Sequence, residues 1–285
     1  MKESAVEQGP YGCWPSPISA QAVGKASSSL FGVQAYDGAV YWLESQPEAA
    51  GRCVIQCYTA SGGLKTITPS GVSVKTRVHE YGGGDYLVSS AGIFYSDAKD
   101  QRLYLQRPNQ APEPLTPAPT AQCERRYADA VLTPDGSILI CVCETHIEGE
   151  EPHNELIALS IDGAAARSTT LVSGDAFYAA PAISPCGSRL VWLSWQSGEM
   201  PWDQAALFEA CLSGRQITSS PKHIAGGKGI SIYQPTFDAQ GVLHYASDQS
   251  GWWNIYSEAF SQDHPVCPME AECGTPMWNL GTQTY

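Results

Sequence analysis

A unit of short strands recurs about every 50 residues along this chain, and no other feature limits its fold as strongly. The runs AVYWLES, RCVIQCYT, GIFYSD, RLYLQR, ILICVCE, ELIALSI, RLVWLSW, ALFEACL, VLHYASD and NIYSEAF are apolar or alternating. Each is bounded by Gly, Pro, Asp or Ser, as strands of four to seven residues are. Helical periodicity is hard to find, so the chain reads as all-β. The unit beginning at Ile183 (ISPCGSRLVWLSW) aligns with those beginning at Leu132 (LTPDGSILICVCE) and Phe237 (FDAQGVLHYASD), and weaker copies begin at Tyr36 and Ser90. Their turn glycines, Gly38, Gly92, Gly136, Gly187 and Gly241, lie 54, 44, 51 and 54 residues apart. About four strands at that period predict a β-propeller blade. A lone twisted four-stranded sheet cannot bury both faces, so blades stack around an axis and cover one another.

Within a unit, a first strand begins at Tyr127-Ala128-Asp129, Tyr178-Ala179-Ala180 or Tyr233-Gln234-Pro235, where small residues suit a crowded axis. A turn such as Pro134-Asp135-Gly136 or Pro185-Cys186-Gly187 follows, its Pro and Gly presetting φ. The sequence predicts blades over roughly 25–70, 71–120, 121–173, 174–228 and 229–270, with residues 271–285 starting a sixth. A ring closes by pairing its first and last blades, so the expectation is an incomplete propeller and an N-terminal piece of something longer.

Composition narrows the partners. The formal charge of −13, from 16 Lys and Arg against 29 Asp and Glu, disfavours nucleic acid and anionic membranes. No apolar run reaches 18 residues and the first residues lack a secretory h-region. A cytoplasmic protein is expected, with an organelle left open. Ten scattered cysteines read as reduced thiols, and Cys141 and Cys143 share a strand face rather than a zinc site. No cofactor or metal is expected; a metal-dependent lactonase would need carboxylates converging from several blades, a pattern not seen here.

Seven stretches, in this order, carry a resemblance: YGCWPSPISA (Tyr11–Ala20), KTRVHEYGGGDY (Lys75–Tyr86), DQRLY (Asp100–Tyr104), RYADAVLTPDG (Arg126–Gly136), SPCGSRLVWLSWQSGEMPWD (Ser184–Asp203), SDQSGWWNIY (Ser247–Tyr256) and CPMEAECGTPMW (Cys267–Trp278). Turns of the SPxG type are common to TolB-like and WD40-like propellers, but HEYGGG, MPWD and SGWWNIY together are specific. From about Tyr11 to Tyr285 the chain resembles the N-terminal propeller of S9 serine peptidases of the prolyl oligopeptidase family, in the dipeptidyl-aminopeptidase and acylaminoacyl-peptidase-like branch. The resemblance implies a propeller that gates and selects short peptides for a C-terminal α/β-hydrolase domain carrying Ser, Asp and His. No G-x-S-x-G elbow occurs in these residues; Gly229-Ile230-Ser231-Ile232-Tyr233 lacks the second glycine. Catalysis is therefore expected outside this chain. The alternative is a stand-alone TolB-like scaffold for protein interactions.

Three stretches offer candidate substrate contacts. In RVHEYGGGDY the glycines read as structural, for close approach or positive φ, since neither a helix nor a P-loop lysine follows. Arg77, His79 and Glu80 either brace this loop, Arg77 pairing with Glu80, or contribute to a peptide cleft. Glu150 and Glu151 lie in the acidic ETHIEGEEPHNE, a solvated hairpin tip or a carboxylate pair able to hold a peptide ammonium, as in some relatives. His146, Glu148 and His153 there fit no zinc spacing. In GEMPWD, Trp202 and Asp203 either pack over a neighbouring blade or contact peptide.

Overall fold

The computed structural model describes residues 8–24, 27–161, 168–260 and 264–285. Its twenty strands form five antiparallel meanders in chain order. Blade 1 holds β1 (Leu30–Tyr36), β2 (Ala39–Gln46), β3 (Arg52–Thr59) and β4 (Gly63–Thr66). Blade 2 holds β5 (Tyr86–Ser89), β6 (Gly92–Ser96), β7 (Leu103–Gln106) and β8 (Glu113–Pro114). Blade 3 holds β9 (Cys123–Leu132), β10 (Ile138–Ile147), β11 (His153–Ser160) and β12 (Ser168–Ser173). In blade 4, β13 (Phe177–Ile183), β14 (Arg189–Trp195) and β15 (Ala206–Ser213) are followed by β16 (Gln216–Ile217) and β17 (Lys222–Gly226), which both pair with β15. Blade 5 has three strands, β18 (Ile232–Phe237), β19 (Leu243–Ser247) and β20 (Asn254–Ser257).

The expected four-stranded blade thus holds in three sheets, with a split outer position in blade 4 and, among the described residues, no fourth strand in blade 5. There the chain still follows β20: Val266 N donates to Ile255 O at 2.8 Å, and Asn254 exchanges side-chain bonds with Met269 at 2.7 and 3.0 Å. Pro265 and Pro268 withhold two N–H donors along that edge, which keeps the pairing irregular. The sixth blade expected over 271–285 does not begin as a strand among the described residues. Leu280 instead makes an isolated parallel bridge to Gly83.

Middle strands read as unbroken apolar runs because both faces are buried. On β10, Leu139, Cys141 and Cys143 pack with Phe94, Leu105 and Ile157, while Ile140 and Val142 join a second core that includes Tyr178, Leu190 and Trp192. Burial at this scale supplies the drive that stacks blade on blade. Blade 1 packs one face on blade 2 through Leu43, Ile55, Tyr86 and Val88, and leaves Leu30, Val33, Val40, Tyr58 and Leu64 exposed.

Four of the five inner strands carry a bulge. The pairing of β1, β9, β13 and β18 shifts register around Gly32, Asp129, Ala180 and Gln234, all with positive φ. The bulges link neighbours: Asp129 N donates to Gly84 O at 2.9 Å, and Ala180 N to Asp129 Oδ2 at 2.6 Å. The small residues expected at the starts of these strands therefore sit where backbones meet around the axis. Pro235, unusual inside a strand, lies in the register break of β18.

Candidate substrate face

Because every blade is a meander, each first strand starts at the same end of the sheet as its second strand finishes. The loop before β5, the β10–β11 and β14–β15 connections and the starts of β9 and β13 consequently share one face of the propeller. All seven predicted site residues lie on it. The structure joins some of them and separates others.

Arg77, His79 and Glu80 occupy the loop that leads into β5. Positive φ at His79 (53°) and Glu80 (65°) recurs, after Tyr81, at Gly82, Gly83 and Gly84. Such a conformation costs on the order of 1–3 kcal/mol for each non-glycine residue and needs external support. The support comes from blades 3 and 4. His79 N donates to Glu144 Oε2 at 2.9 Å, and its ring sits edge-on to Phe177 and Trp195, with centroids at 5.0 and 5.7 Å. Burial among these groups pushes the His79 pKa down, although Glu144 and Asn154 oppose the shift. His79 is thus a neutral wedge between blades.

The expected Arg77–Glu80 pair does not form. Arg77 Nη2 binds Glu124 at 3.1 Å, while Glu80 Oε1 accepts Arg126 Nη1 at 2.7 Å. The left-handed turn at His79 and Glu80 redirects the Glu80 side chain toward blade 3. Arg126 organises the whole cluster: its Nε reaches Glu124 at 2.7 Å, and Nη1 also bonds Arg77 O at 3.0 Å and Glu144 Oε1 at 3.3 Å. The Glu144 Oε1 atom meets His146 Nε2 at 2.6 Å. Its hydrogen bond to Arg126 holds the Glu80 carboxyl below the usual range; burial raises that of Glu124, but Arg126 overrides it and the net shift is downward. Glu80, Glu144 and His146 are close enough to share a metal ion. The Arg126 guanidinium already supplies their positive charge, so the geometry is that of an arginine-centred network.

Glu124, Arg126, Glu144 and His146 were not singled out from the sequence as a cluster. Arg126 pairs with Glu144, and Glu124 with His146, across β9 and β10. Counting outward from the Pro134-Asp135-Gly136 turn could have matched them but for the bulge at Asp129, which shifts the count.

Glu150 and Glu151 stand exposed at the tip of the β10–β11 connection and form no ion pair among the described residues. Trp202 packs over the neighbouring blade, as one of the two readings expected, against the blade 5 cluster of Tyr233, Ala246 and Trp253. It also meets Trp278, with centroids 4.4 Å apart, and Trp278 meets Tyr81 at 5.5 Å. Asp203 is exposed. The residue after His79 and Glu80 is therefore connected by rings to the blade 4 loop.

The glycines answer to close approach. A Cβ on Gly82 would lie 2.4 Å from Thr76 O, on Gly83 2.3 Å from Leu280 O, and on Gly84 2.7 Å from Asp129 N. On the same face, Ser250, Trp252, Asn254, His264 and Met269 line an open cleft of about 410 Å³.

Solved structures match nearly the whole chain. A Mycobacterium tuberculosis puromycin-hydrolyzing peptidase is 36% identical over 95% of this chain, with a TM-score of 0.85. A puromycin hydrolase is 30% identical over 97% at a TM-score of 0.85, and a mutant of puromycin hydrolase complexed with PGG is 31% identical over 97% at 0.86. The chain belongs with the N-terminal propellers of S9-family peptidases. It spans 44% of the length of each of these relatives. A scan against family models finds no match, and neither does a search of curated proteins. The peptidase propeller has no helix, among its described residues, long and apolar enough to cross a membrane.

Proposed function

We propose that this propeller gates and selects short peptides for an S9-type serine peptidase whose Ser, Asp and His lie on an α/β-hydrolase domain outside these residues. The observation that carries the reading is the match at 30–36% identity to puromycin-hydrolysing peptidases more than twice as long. The substrate-facing surface is the face just described. Its rigid arginine network fixes the loop of Arg77, His79 and Glu80, and Trp202 and Asp203 border it from blade 4. Binding groups held on packed blades position a peptide without the entropy cost of loop ordering. In the complete enzyme the serine attacks the scissile carbonyl, the histidine carries its proton and the aspartate orients the histidine.

The test is an activity-based label. The native gene product, treated with a fluorophosphonate that esterifies activated serines, is digested and the labelled peptide mapped. The reading expects one labelled serine, outside residues 1–285, with loss of hydrolysis of aminoacyl and dipeptidyl amides. A label within these residues, or none at all, overturns it.

A further inference from the structure

We propose that Tyr81, Trp278 and Trp202 form a platform that binds the aromatic side chain of a substrate peptide. The ligand class rests on the peptidase reading above; the platform itself rests on geometry. The three rings come from three separate places: the loop before β5, the segment after blade 5, and the β14–β15 connection. Trp278 lies between the other two, 4.4 Å from Trp202 and 5.5 Å from Tyr81. Tyr81 and Trp278 remain 59% and 52% exposed, whereas Trp192, Tyr178, Tyr233 and Tyr245 are buried between or within blades. Trp202 is half-buried against Tyr233, Ala246 and Trp253 and backs the exposed pair from one side. One exposed ring needs no explanation, but a contiguous exposed pair with a third ring behind it marks a contact site.

The row is held in place before any ligand arrives. Asn279 Nδ2 donates to Tyr81 O at 2.8 Å and Leu280 N to Gly82 O at 2.9 Å, an approach that only glycine at 83 permits. On the other side, Ser231 Oγ donates to Pro201 O at 2.7 Å, anchoring the turn that carries Trp202. Preformed aromatic surface loses little entropy when it binds. The Tyr81 and Trp278 planes meet at 65°, so a third ring can stack on one and meet the other edge-on. Charge does not dictate the ligand, because Glu80 beside Tyr81 already holds Arg126 and Arg77 already holds Glu124. The corner selects a ring, with or without an attached ammonium.

Isothermal calorimetry on the protein with three small probes separates ring from charge. N-acetylphenylalaninamide and phenylalaninamide should bind with similar affinity, and alaninamide about tenfold more weakly or not at all. Trp278→Leu should weaken both ring probes at least about fivefold with an unchanged unfolding midpoint, while Phe260→Leu, at a separate exposed ring, should leave them unaltered. If Trp278→Leu does not fold, Tyr81→Leu carries the same comparison. Equal binding of alaninamide, undiminished binding to the variant, or no binding of any probe overturns the proposal. Binding requires no catalysis, so its failure is distinct from a failure of the serine label.

Discussion

The network around Arg126 shows how differently two glutamates on one cation contribute. Glu144 has only 4% of its side chain exposed, whereas Glu80 has 72%. Removing the guanidinium strands a buried carboxylate, while removing an exposed partner costs little beyond screened attraction. Arg126→Met should destabilise the protein by about 3 kcal/mol in denaturant titrations, and Glu80→Gln by less than about 1 kcal/mol. The double variant Arg126→Met, Glu144→Leu should recover only part of the loss, since an apolar pair leaves no buried charge but also leaves His79 N without its acceptor. Gly83→Ala forces a Cβ within 2.3 Å of Leu280 O at a φ of 93°. Its expected cost is about 2–4 kcal/mol, read as a lowered thermal midpoint. The need for these glycines was legible in the sequence; their partners were not, because Leu280 and Asp129 approach from positions remote in the chain. The same distance hid Trp278 from Tyr81, 197 positions earlier in the numbering. Pairing Arg77 with Glu80 from sequence proximity missed the left-handed turn that separates them.

At the scale of strands, the period, the turns and the apolar middle runs were readable because each depends on neighbours in the chain. The inner-strand bulges were not, since they arise where strands from adjacent blades meet. Asp129 shows what this produces. It keeps some exposed surface but is enclosed by protein, and burial lifts its pKa from 3.8 to about 6 despite the hydrogen bond from Ala180 N. The native chain therefore holds a proton that the unfolded chain has already released across that window. Stability contributed by the protonated form is present below pH 4 and is lost as pH rises through about 6. An amide in place of this carboxyl cannot ionise and still offers an oxygen to Ala180 N. Asp129→Asn should match the parent near pH 4 and exceed it near pH 7.5 by on the order of 3 kcal/mol, as thermal midpoints across that range would show. A parallel pH dependence in both proteins would remove Asp129 from the account. The irregular edge of blade 5 is a second lesson at this scale. Pro265 and Pro268 lie along it, yet the backbone still shadows β20 through Val266 and Asn254.

For the whole molecule, five stacked sheets place one end of every blade on a common face, and that face gathers the Arg126 network, the aromatic row and the Trp252 cleft. The propeller architecture and the likeness to S9 peptidases were visible in repeats and motifs. A sixth blade was not found, because the residues from Cys273 onward contact Gly83 and Gln234 instead of pairing as a sheet. The central claim is that this face serves a hydrolase carried by the same product. The measurement that tests it most directly is the mass of the native protein in its source cells, detected with an antibody raised against these residues. The account predicts a species roughly twice 30.6 kDa or larger, sufficient for a further domain of this scale. A single species near 30.6 kDa would contradict it and leave the propeller acting as a scaffold on its own.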